Sequence, residues 1–127
     1  MTPSVPSVLM QLAQVAMRNA AQDRPDAERA GDLGLTAMLL QIAAEVWDGA
    51  AQQLVEENRS VRALLGEAGE DPDLRLSALK ATNRTLRARL IEAQIVAEQT
   101  GDTARQDAIW TELVASTERR KLSVSLV

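Results

Sequence analysis

A chain of 127 residues is long enough to bury a core but short for two ordinary domains, so the expectation is a single all-helical domain over 1–127. The apolar share of 46% rests on Ala, Leu and Val, with two Trp, no Phe and no Tyr. The absence of His and Cys excludes the usual neutral-pH proton shuttle, thiolate chemistry, disulfides and most soft-metal ligands. A net charge of −4, from 14 basic and 18 acidic residues, argues against generic binding to nucleic-acid phosphates.

The N-terminus, MTPSVPSVLMQLAQVAM, carries no basic residue before Arg18, and Gln11 and Gln14 dilute its apolar content, so no signal peptide is expected and the default compartment is cytoplasmic. Pro6 suits the first turn of a helix over 6–21, whose apolar positions Val8, Leu9, Leu12, Val15 and Ala16 repeat at helical spacing. Residues 23–28, DRPDAE, supply a cap, a proline and carboxylates for a second helix over 26–66, with Gly31 and Gly34 as weak points. Its most apolar stretch, 33–47, contains Gln41 and Glu45 and is shorter than the ~20 residues a bilayer crossing needs. A core helix facing several neighbours is the expectation there, with no membrane role.

Residues 66–73, GEAGEDPD, read as a helix-to-helix turn with Asp71 as the next N-cap, starting a third helix over 72–99. Thr100-Gly101 closes that helix, and Thr103 with Gln106 offers a capping box for a fourth over 103–120, with Ile109, Trp110, Leu113 and Val114 as its buried face. The tail 121–127 alternates apolar and polar residues but lacks a strand to pair with, so fraying is expected.

Two apolar seams run at alternating steps of three and four. On the second helix the seam is Leu33, Ala37, Leu40, Ala44, Trp47, Ala51, Leu54, Asn58, Val61 and Leu65. On the third it is Leu76, Leu79, Asn83, Leu86, Leu90, Ala93 and Ala97. Each is interrupted once, by asparagine. The segments NRSVRALL at 58–65 and NRTLRARL at 83–90 also resemble each other at an offset of 25.

If the turn near Glu70 folds the helices antiparallel, facing numbers sum to about 141 and Asn58 meets Asn83 as a register-setting pair. The expected fold is therefore all-α, four-helix bundle-like, built on a long antiparallel hairpin of the second and third helices. The short first and fourth helices would pack at one end, leaving 51–90 as a projecting arm.

Carboxylate pairs such as Glu56 with Glu57 and Glu45 with Asp48 read as solubility, so no metal or cofactor is assigned. Neither a nucleophile elbow nor a phosphate loop occurs. Arg59, Arg62, Arg84 and Arg87 form a candidate cluster for an anion or acidic partner, against the reading that Arg84 pairs with Glu57 and the others are solvated. Val55, Ala63, Leu64, Leu74, Ala78, Ala81 and Ala88 form a candidate association surface.

The functional expectation is a non-enzymatic interaction module, an adaptor, assembly or chaperone-like protein presenting a coiled-coil hairpin as a homodimer. The alternative is a small regulatory protein that binds an anionic or apolar small molecule through the bundle or the arginines.

Overall fold

A computed structural model describes residues 4–20 and 23–122. It is all-α: 83% helical, with four helices and no strand among the described residues. The helices are α1 (Val5–Asn19), α2 (Asp26–Leu65), α3 (Leu76–Thr100) and α4 (Thr103–Arg119). None is long and apolar enough to cross a membrane. The strand-like tail and the expected end of the first helix at residue 21 lie outside the described residues.

By its contacts the chain divides into two compact units, one built on residues up to Asp48 and the other on Gly49–Lys121. In the first, the Ser4 hydroxyl caps α1 by accepting from the Ser7 amide. Val8 and Leu12 of α1 pack on Ala43 and Leu39 of α2. The α2 stretch 33–47 is not enclosed all round as expected, because this contact takes one face and leaves Leu33, Leu35, Leu40 and Trp47 exposed. On α1, Leu9 and Ala16 also stay exposed.

The second unit corrects the direction of the central pairing. Asn83 Nδ2 donates to Asn58 Oδ1 at 3.0 Å, so the expected pair forms. Beyond it, Val61 clusters with Leu86 and Leu90, Leu65 and Ala93 pack against the same cluster, and Glu67 pairs with Arg89. Rising numbers on α2 meet rising numbers on α3, whereas an antiparallel register would set Glu67 opposite residue 74, some 15 residues and about 22 Å of helix from Arg89. The two helices run parallel, at the offset of 25 that separates the repeated segments.

The connector explains how neighbours in sequence run the same way. Gly66, at φ 71°, ends α2 with bonds from its own amide to Ala63 O and from the Glu67 amide to Arg62 O. The chain then retraces α2: Asp71 meets Asn58 and Arg62, and Leu74 shares a groove with Ala51 and Val55. Ten extended residues reach about 33 Å, ample to pass back along the ~21 Å of helix between residues 51 and 65. α3 therefore starts at Leu76 rather than 72, and Asp71 is not its N-cap; the cap position is Arg75, which makes no side-chain cap bond.

Gly101, at φ 69°, repeats the glycine stop, with the Asp102 amide bonding Ala97 O. Asp102, not Thr103, caps α4 by accepting from the Arg105 amide at 3.0 Å, while Gln106 Nε2 reaches Ala97 O. α4 returns against α3, placing Ile109 beside Leu90 and Ser116 beside Glu57. It covers the part of α2 and α3 expected to project as a bare arm. Of its expected buried face only Ile109 is enclosed; Trp110, Leu113 and Val114 remain exposed, and Ser116 is buried instead.

Candidate functional site

The most enclosed polar groups lie where α2, α3 and α4 meet. Asn58 and Glu57 are 0% and 3% exposed and Asn83 is buried beside them. Asn83 Nδ2 donates to both Asn58 Oδ1 and Glu57 Oε1, the latter at 3.1 Å. Asn58 Nδ2 donates in turn to the Asp71 carboxylate at 3.1 Å and weakly to the Leu79 carbonyl. The two amides form the centre of a network rather than an isolated pair.

Glu57 draws two cations inward. Arg120, at the C-cap of α4, bonds both its carboxylate oxygens at 2.7 and 2.8 Å, Arg87 of α3 pairs with it, and the Ser116 hydroxyl of α4 donates at 3.5 Å. Burial pushes this carboxyl up, but the Asn83 amide and the Arg87 and Arg120 charges outweigh it and hold it below the usual carboxylate range. Saturated with donors and closed to solvent, Glu57 is a structural anion tying three helices together, with no lone pair open to a substrate.

Asp71, on the connector, plays the matching role at the edge, accepting from Arg62 at 2.7 Å as well as from Asn58.

The four arginines do not assemble into an anion clamp. Arg62 is taken by Asp71 and Arg87 by Glu57, while Arg59 and Arg84 are exposed and enter no ion pair among the described residues. Arg84 is not the partner of Glu57; Arg87, one turn on, holds that place. Of the candidate association residues, Leu64 packs against the Val61 cluster, Val55 and Leu74 line a groove of about 320 Å³ with Arg59, Ala78 is half-buried, and Ala63, Ala81 and Ala88 are exposed. They do not form one continuous surface of equal exposure.

Sequence reasoning missed the burial of Glu57, the partnership of Asp71 and the contribution of Arg120. The available signal for Glu57 was its place next to a seam asparagine, where a third helix can close over it. No group of three or more acidic residues placed to hold a metal ion occurs among the described residues.

Large apolar side chains also remain open to solvent. Ile91, Gln94 and Leu113 line a groove between α3 and α4, with Ile95 one turn beyond Ile91 and exposed Trp110 and Val114 beside Leu113 on α4. On α2, Leu33, Leu40 and Trp47 stand 56%, 50% and 66% exposed along the first half of the seam. Compared with protein-family models, curated proteins and solved structures, the chain matches none.

Proposed function

We propose that the chain is a non-enzymatic helical interaction module, an adaptor, assembly or chaperone-like protein that forms a homodimer and presents coiled-coil-type helix surface to a protein partner. The observation that carries this reading is the division of labour among side chains. The buried polar groups are spent on internal bonds around Glu57 and Asp71, whereas large apolar side chains, Trp47 and Trp110 among them, face solvent in stripes at helical spacing. Exposed aromatic and aliphatic stripes of this kind are what helix-to-helix recognition uses.

Light scattering on the purified chain tests it: a concentration-dependent dimer is expected, and a monomer at every concentration that binds a small anion tightly would overturn it. The small-molecule alternative has one feature in its favour. A groove of about 490 Å³ lined by Leu65, Arg89, Val96, Thr100 and Arg105 falls within the size range of ligand sites. Calorimetric titration with inorganic phosphate reads that alternative directly, and no heat of binding is expected.

A further inference from the structure

We propose that the first half of α2 packs antiparallel against the same segment of a second copy of this chain, along Leu33, Ala37, Leu40, Ala44 and Trp47, an inference that rests on the interaction-module reading and names its self-association surface. All five residues are exposed, and none is charged. They continue, in the same steps of three and four, the seam whose later members Asn58, Val61 and Leu65 pack against α3. The open stripe thus repeats, in the first unit and without a partner, the apolar pattern that serves as an interface in the second.

α1 does not compete for it. At 100° per residue, Leu39 and Ala43, which pack against α1, lie roughly a quarter to a third of a turn round the helix from the stripe, and buried Ile42 lies about half a turn away. The face is free while the α1 contact stays intact.

Side-chain size selects the occupant and its direction. Alanine alternates with Leu or Trp along the stripe. In an antiparallel pair about a two-fold axis near residue 42, facing positions sum to 84: Leu40 of one copy lies over Ala44 of the other, and Ala37 lies under Trp47. Each of these layers joins a small residue to a large one, which fills space evenly, while Leu33 lies at the end of the stripe beyond them. A parallel pair would set Ala on Ala and Trp on Trp, alternately leaving voids and crowding. The stripe is complementary to itself only when reversed, as a two-fold interface requires.

From Leu33 to Trp47 the stripe spans about 21 Å, a small interface, so a dissociation constant of about 1–100 μM is expected. Sedimentation of the full chain from 1 to 500 μM reads it. A dimer is expected that Leu40→Glu or Ala44→Glu shifts to monomer with helical circular dichroism unchanged, while Ala81→Glu and Ala88→Glu leave it intact.

Because the chain lacks cysteine, direction is read by cross-linking. A mixture of Leu40→Cys and Ala44→Cys proteins should form the mixed disulfide dimer under oxidising conditions, with little product from either alone. Ala44→Cys cross-linking to itself in preference would overturn the antiparallel pairing. A dimer abolished by Ala81→Glu or Ala88→Glu but not by Leu40→Glu would overturn the site while sparing the interaction-module reading; a monomer throughout would overturn the self-association, and only tight binding of a small anion by that monomer would remove the interaction-module reading as well.

Discussion

Glu57 concentrates more of the second unit's polar bonding than any seam residue. Replacing it with Gln removes the charge that Arg87 and Arg120 enclose; both guanidiniums are partly exposed and can turn to water, so the cost is expected to be ~1–3 kcal/mol rather than the larger penalty of two stranded buried cations. Urea denaturation of Glu57→Gln measures it. The pH dependence has a definite sign. Because folding lowers the carboxyl's affinity for its proton, its contribution is fully present above the ordinary carboxylate value, about 4.3, and is lost as pH falls through its lower folded value. Urea midpoints followed from pH 7 to 3 should fall more steeply for the parent chain than for Glu57→Gln. At the asparagines, Asn58→Leu or Asn83→Leu alone should cost ~1–3 kcal/mol. The double variant should be less stable than either, since Glu57 and Asp71 would each have lost an amide donor. A double variant as stable as the milder single one would show that the amides serve only each other.

Elements differ in how tightly their neighbours define them. α2 passes through Gly31 and Gly34 without a break, and a Cβ at Gly31 meets nothing within 4 Å. Gly31→Ala is expected to raise stability by ~0.5–1 kcal/mol through the lower entropy of the unfolded chain, read as a higher thermal midpoint. The connector between α2 and α3 behaves differently. Its length is what allows a parallel pairing, and Asp71 is its buried anchor, 2% exposed at the side chain. Asp71→Ala should release it, seen as faster amide exchange in residues 67–74 and a loss of ~1–3 kcal/mol as Arg62 and Asn58 lose their acceptor.

The direction of the pairing was in part legible in the residues. Asn58 and Asn83 are each followed by seam residues at three and seven positions, Val61 and Leu65, Leu86 and Leu90. They hold the same place in the apolar period, and like places face each other between parallel helices but not antiparallel ones. The residue types of the connector point the other way, because Gly, Asp and Pro suit a tight reversal as well as an extended return. The candidate arginine cluster was less legible: spacing places cations on a helix face but does not say which acids of the connector or α4 will reach them.

At the scale of the whole chain, each unit buries an apolar core of its own, Val8, Leu12 and Ala43 in one and Val61, Leu86, Leu90 and Ile109 in the other. Each also leaves large apolar side chains in water. Covering them would add burial worth about 25 cal/mol per Å², so self-association should stabilise the chain in a concentration-dependent way. The thermal midpoint is expected to rise between 5 and 500 μM, and a midpoint independent of concentration would count against the dimer.

Local chemistry determined the number of helices and their glycine stops at Gly66 and Gly101, because capping and left-handed backbone act over a few residues, and the apolar period marked Asn58 and Asn83 as the polar positions of their seams. Only the tertiary structure decided that α2 and α3 run in the same direction, that α4 closes over Glu57, and which apolar stripes stay open. Those outcomes turn on where ten residues of extended chain and a returning helix come to rest, and burial of one face against another depends on partners distant in sequence.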